Sequence, residues 1–166
     1  MIFAMFGITC SIVCWKTGDW KKWREYYPTI LYLYIGDMVV DFLTVDKPLW
    51  AFSKLSYNCQ MIDLAIMAFV YPSTAILFLS HYPTEVSKQI KYLVLWVGIY
   101  TAIELIGTLV GDFQHFNGWN MYYSILFNIT MFPLLRLHYK KPLLVWPISV
   151  VLAFLVIWWF RIPLTR

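Results

Sequence analysis

Charge is scarce in this sequence. Lys, Arg, Asp and Glu make up 13 % of its 166 residues, about half the share of an ordinary soluble domain. Hydrophobic residues reach 61 % and aromatic residues 20 %, so a water-facing surface of normal polarity is excluded. The basic residues outnumber the acids by 13 to 9, but they are spread over several connections rather than gathered in a patch. That distribution excludes nucleic acid as a partner. Cysteine is nearly absent too. Cys10, Cys14 and Cys59 cannot build a disulfide framework. Cys10 and Cys14, four apart on one apolar segment, read as small apolar residues, with a disulfide or metal pair as the alternative. Catalytic signatures are missing: there is no H-E-x-x-H, G-x-S-x-G, P-loop or G-x-G-x-x-G. No cofactor is predicted. The opening "MIFAMFGITCSIVCW" has no basic residue before its apolar run and no small-x-small cleavage site. It is expected to be an uncleaved first span rather than a signal peptide.

What the sequence does have is apolar length. Six stretches are long enough, or nearly so, to cross a bilayer, which needs about 20 residues of helix. The spacing predicts helices over 1–15, 26–45, 59–80, 92–111, 121–139 and 143–160. The expected fold is therefore all-α: a polytopic bundle of six transmembrane helices forming a single integral membrane domain over 1–166. Pro28 is placed in the first turn of the second helix, where its missing N–H costs nothing. Pro72, Pro133 and Pro147 fall inside later helices, where they predict kinks. Lys16, Lys21, Lys22, Arg24, Lys88, Lys91, Arg136, Lys140 and Lys141 mark one side of this threading. Only Lys47, Lys54, Arg161 and Arg166 mark the other. Positive charge favours the cytoplasm, so both termini are expected outside. Most tryptophans fall near span ends, as interfacial anchors do.

A weak internal similarity runs through the chain. "GDWKKWREYY" (18–27) and "GDFQHFNGWNMYY" (111–123) both begin Gly-Asp-aromatic and end Tyr-Tyr before a helix. "DKPLW" and "KKPLLVW" follow those helices. Aligned this way, the halves make a 3+3 inverted repeat, the plan of many secondary transporters. Chance matches among abundant aromatics are the competing explanation.

Four acids lie inside the expected spans: Asp37, Asp41, Asp63 and Glu104. An acid at mid-helix costs about 2.5–3.5 kcal/mol on insertion scales, so such groups normally face the bundle interior, pair, or take up a proton. At about 1.5 Å of rise per residue, Asp37 is about 2 Å, Asp41 about 8 Å, Asp63 about 10 Å, Glu104 about 4 Å and Asn128 about 3 Å outward of mid-bilayer. Asp37 and Asp41 share a face. Glu104 shares its face with Tyr100, Gly107 and Gly111, and the two glycines form a G-x-x-x-G expected to serve close helix packing. Asn117, Asn120, Ser124 and Asn128 form a polar stripe on the fifth helix. These faces are expected to converge on an acidic cluster in the outer half of the membrane. Asp37, Asp41, Asp63 and Glu104 would bind a proton or hard cation there, with Asn128 and Tyr100 as further ligands. Alternatively, the acids bond to tyrosines and threonines and only fix helix register. Asp112 and His115 in an outer loop are a weak metal candidate. His81 and His138 read as interfacial polar groups, with a two-histidine haem as the lesser alternative.

The segments "DWKKWREYYPTILYLYIGDMVVDFLT" and "NGWNMYYSILFNITMFPLLRLHYKKPLLVW", with Glu104 between them, resemble a family of small multi-pass membrane proteins of bacilli and clostridia, many of them endospore formers. The resemblance covers nearly the whole chain. It implies a bacterial cytoplasmic membrane protein and carries no assigned activity or catalytic residues. The expected function is a small transporter-like or ion- or proton-responsive protein. A non-transporting accessory subunit, whose polar faces meet a second copy or another membrane protein, is the alternative. A lipid-modifying enzyme built on the D-x-x-x-D of "DMVVD" comes third, since such enzymes need further acids and nearby basic groups.

Overall fold

A computed structural model describes residues 2–52 and 64–163. Asp63, Cys59 and Lys54 lie outside the described residues. The described residues are mostly helical, at 80 %. Among the described residues there are six α-helices: α1 (Ile2–Thr17), α2 (Trp23–Thr44), α3 (Tyr71–Ser80), α4 (Val86–Leu109), α5 (Met121–Lys140) and α6 (Pro142–Phe160). A 3-10 turn at Trp20–Lys22 precedes α2, and a π-helical turn at Ile66–Val70 leads into α3. By length and composition, two of these helices, α4 and α6, could cross a membrane unaided. The other four fall short for separate reasons. α1 has 16 residues and α3 has 10. Tyrosines and charges dilute α2, and Asn128, Arg136 and His138 dilute α5.

Several boundaries differ from expectation. α2 starts at Trp23, so Pro28 lies inside the helix rather than in its first turn and frees the carbonyl of Arg24. α4 starts at Val86, which brings Lys88 and Lys91 into the helix. Long basic side chains cover apolar helix surface while their heads stay in water, and this hides a helix start from an apolar-run reading.

α3 is the axis of the bundle. Ser73 through Leu79 are all buried, enclosed by α1, α2, α4 and α5. Phe78, fully buried, packs on Trp96 of α4 and Phe132 of α5 with ring centroids 5.9 and 5.2 Å apart. α6 packs on α5 and reaches α2 through the Tyr32 hydroxyl, 2.8 Å from Ser149 Oγ. Successive helices alternate in direction. One end gathers Ile2, the end of α2, the end of α4 and Phe160. The other gathers Lys22, Tyr82, Lys88 and Lys140.

A two-stranded antiparallel ribbon closes the first of these ends. β1 (Trp50–Phe52) pairs with β2 (Phe113–His115) in the register Trp50↔His115, Ala51↔Gln114, Phe52↔Phe113. The Phe116 amide extends the pairing by donating to Leu49 O at 2.8 Å. α4 reaches β2 through a Schellman turn. Asp112 N–H donates to Gly107 O (2.8 Å) and Gly111 N–H to Thr108 O (3.2 Å), with Gly111 at φ +78°, a conformation that glycine adopts without strain. The end of α6 is held by Lys47, whose ammonium donates to Phe160 O at 2.8 Å. The two Gly-Asp-aromatic segments of the internal similarity fold differently: Trp20 begins a 3-10 turn, whereas Phe113 begins a strand.

Candidate functional site

The π-turn is the local feature that sets the site. Tyr71 N–H donates to Ile66 O, five residues back. Pro72 follows at once and has no N–H to offer Ala68, so the helical ladder is already broken there. The extra residue of a π-turn changes the direction of every side chain after it, and such turns occur often at functional sites. Here it aims Tyr71 at α2. The Tyr71 hydroxyl donates to Asp37 Oδ1 at 2.6 Å, and the Tyr34 ring lies 6.2 Å from the Tyr71 ring. One turn further along α2, Asp41 is exposed, while Asp37 is half-buried.

On the other side of α3, the Tyr100 hydroxyl of α4 is 2.7 Å from Thr74 Oγ1. Tyr71 and Tyr100 are electrostatic neighbours, and the Phe6 ring packs edge-on to Tyr100 at 5.8 Å. Asp37 and Tyr100, far apart in sequence, thus reach the same short stretch of α3. Along α3 the residues that follow are apolar as far as Leu79. Ala75 to Leu79 pack with Phe132 and Leu135 in an apolar cluster.

The expected acids divide into two groups. Glu104 accepts from His115 Nε2 at 2.7 Å, each side chain 14 % exposed. This pair joins α4 to β2 at the ribbon end of the bundle. The longer α4 explains part of the difference, because it puts Glu104 about 10 Å from the helix midpoint rather than about 4 Å. On α2, Asp37 is about 5 Å and Asp41 about 11 Å from the midpoint. Asp112 accepts from the Ile2 amide at 2.8 Å and so ties α1 to α4. His115 thus faces Glu104, the partner that the Asp112–His115 metal reading did not consider. Among the described residues, no group of three or more His, Cys, Asp or Glu side chains could share a metal ion.

The stripe on α5 is also taken up locally. Asn120 caps α5 by accepting from Tyr122 N–H at 3.0 Å. Asn117 donates to Pro48 O at 2.7 Å, and Ser124 accepts from Trp119 Nε1 at 2.9 Å. Asn128 is buried. Gly107 carries close packing: a Cβ there would lie 2.7 Å from Phe3 Cε2. Gly111 has open space around it and serves the Schellman turn instead.

Sequence reasoning missed two features. His138 is buried beside Thr29, with Nδ1 3.1 Å from the Thr29 hydroxyl, and its ring stacks on Tyr32 at 4.4 Å. His81 instead bonds within its own helix end, to Ser80 and Leu77 O. Tyr71 gave one signal, a tyrosine next to a proline inside an apolar run. Cys10 and Cys14 are free and buried.

No known protein family, curated protein or solved structure matches the chain.

Proposed function

We propose that the chain is a six-span protein of a bacterial cytoplasmic membrane that binds a proton or small hard cation at Asp37, reached from outside by way of Asp41. Support for the membrane begins with two long apolar helices that the rest of the protein leaves largely uncovered. In α4 and α6, 11 % and 17 % of the most apolar 18-residue window is buried. A soluble protein would bury more of two helices this long and apolar; here most of their surface is uncovered, where lipid would cover it. With helices that alternate in direction, the preference of Lys and Arg for the cytoplasm supports a reading in which the Lys- and Arg-rich end is cytoplasmic and both termini are outside. The resemblance to the bacillus and clostridium proteins supports a bacterial membrane location, without bearing on the orientation.

The Asp37–Tyr71 bond beside the π-turn carries the functional reading. An intramembrane carboxyl held by a neutral donor, with no basic partner among the described residues, suits a group that takes up and releases a positive charge. An interrupted central helix at the site is a feature of transporters. A polar outer half of α3 above an apolar inner half fits a site that opens to one side of the membrane.

Two experiments test this. With the native cysteines replaced, a cysteine at Lys21 should react only from the cytoplasm and one at Gln114 only from outside; matching accessibility would overturn the threading. Wild type in proteoliposomes should show a pH- or cation-dependent infrared or fluorescence change that Asp37→Asn removes while leaving the protein folded. A response that survives Asp37→Asn favours the accessory-subunit reading, in which the same bond only sets helix register.

A further inference from the structure

Arg136 is the ionisable group that this reading leaves unused. It sits on α5, four residues before the helix ends at Lys140. Its guanidinium lies over the Tyr82 ring at 4.4 Å and near the Tyr139 ring at 5.4 Å. Nε is buried without a hydrogen-bond partner. No described side chain or backbone oxygen accepts from Arg136, and it makes no ion pair among the described residues. Glu25, which shares Tyr139 with it, accepts the Tyr139 hydroxyl at 2.8 Å. Glu85 is likewise committed, to Lys88 at 2.7 Å.

A guanidinium has five donors in a planar fork. Aromatic faces orient it and offset part of its desolvation, but they accept none of those hydrogen bonds. Holding the fork between two tyrosines fixes its plane without filling its donors, which is how a site for a planar-bidentate anion is prepared. The setting selects the anion. Lys22, Arg24, Lys88, Lys91, Lys140 and Lys141 belong to the same end of the bundle, so the local field favours negative charge. At the apolar–polar boundary of a membrane protein, the abundant anion is phosphate.

We infer that Arg136, clamped by Tyr82 and Tyr139, binds a phosphate group. It is presented either by an anionic phospholipid headgroup of the cytoplasmic leaflet or by a free phosphate compound. The inference rests on the membrane reading only for the lipid source. The phosphate site itself does not require it.

The test uses the full chain in neutral detergent micelles. Thermal unfolding is followed against dioctanoyl phosphatidylglycerol, dioctanoyl phosphatidylcholine, glycerol phosphate and inorganic phosphate. Phosphatidylglycerol should raise the melting temperature of wild type. Its apparent affinity should fall about tenfold or more in Arg136→Gln, the loss of one charge-assisted contact. The Lys88→Gln/Lys91→Gln pair, which removes two positive charges where Arg136→Gln removes one and does not touch the clamp, should match wild type in affinity. Arg136→Lys keeps the charge but not the fork and should bind more weakly than wild type. Should Arg136→Gln fail to fold, Arg136→Lys and Tyr82→Leu decide the matter in its place. Phosphatidylglycerol acting alone assigns the site to a headgroup; glycerol phosphate or inorganic phosphate acting as well assigns it to free phosphate. Equal affinity in wild type and the Arg136 variants, or a loss as large in the lysine pair, overturns the inference. Alkaline extraction of native membranes checks the membrane reading separately, so either can fail without the other.

Discussion

A double-mutant cycle on Asp37 and Tyr71 probes the centre of the reasoning. The 2.6 Å contact is at the short end for an O–H···O bond. Bonds between side chains of neighbouring membrane helices average about 0.6 kcal/mol and reach about 1.7 kcal/mol. Bonds to charged groups reach about 1.5–3 kcal/mol. The acceptor here is a carboxyl and the donor is enclosed by α3 and its neighbours, so the coupling should be about 1–2 kcal/mol. Tyr71→Phe, Asp37→Ala and the double variant would be unfolded reversibly in mixed micelles beside wild type. Asp37→Asn adds a control. Its amide oxygen can still accept the tyrosine proton, so stability should change by less than about 0.5 kcal/mol while the acid–base chemistry is gone. A coupling below about 0.3 kcal/mol, the scale at which independent sites add, would refute the argument. Asp37 would then be hydrated rather than held by Tyr71, and the π-turn would have no part in placing it.

Three further outcomes follow from the same geometry. Gly107→Ala should lower stability by about 1–3 kcal/mol, measured by thermal unfolding. Its methyl would press on Phe3, whose ring is wedged 4.8 Å from that of Phe52 and 5.6 Å from that of Phe113. Glu104→Ala should cost about 2–3 kcal/mol, somewhat less than breaking a fully buried pair, because it leaves His115 unpartnered at the ribbon; Glu104→Gln, which keeps an acceptor, should cost less in the same assay. Lys88 and Ser87 hold the Glu85 carboxyl below its ordinary range. The stabilisation is then full above the ordinary glutamate range and is lost as pH falls through the depressed value. Melting curves of wild type and Glu85→Gln should therefore differ at neutral pH and converge in acid.

The helices were legible because an apolar run of sufficient length has few other fates, and all six expected segments contain helix. The ends were less legible. Lys88 and Lys91 obscured the start of α4, since a basic residue on a helix end reads as a loop. The ribbon was not legible at all. Trp50–Phe52 and Phe113–His115 are three residues each, too short for a period-two pattern, and each is a strand only because the other is there. The same distinction runs through the site. Asp37 stood out because its environment, an apolar helix, is written in its own neighbours. Its partner Tyr71 did not, because their meeting depends on a π-turn that no residue type encodes. Glu104 and His115 are eleven positions apart across a helix end, and the Schellman turn at Gly111 decides that they face each other. That turn gives Gly111 a purpose different from the helix packing that G-x-x-x-G spacing suggests.

The enclosure of α3 also bears on the order in which the protein can be made. α1 and α2 precede it in the chain, while α4 and α5, which supply Trp96, Tyr100 and Phe132 to its remaining faces, are synthesised afterwards. When Ser73 to Leu79 leave the ribosome, half of their eventual cover does not exist. Thr74 has no Tyr100 to bond, and Phe78 has no aromatic partners on that side. α3 must wait, held by α1 and α2 alone, until α4 and α5 close around it. The last of these elements to arrive thus completes the oldest buried surface, and a chain stopped before α5 should be recognised by the cell as unfinished.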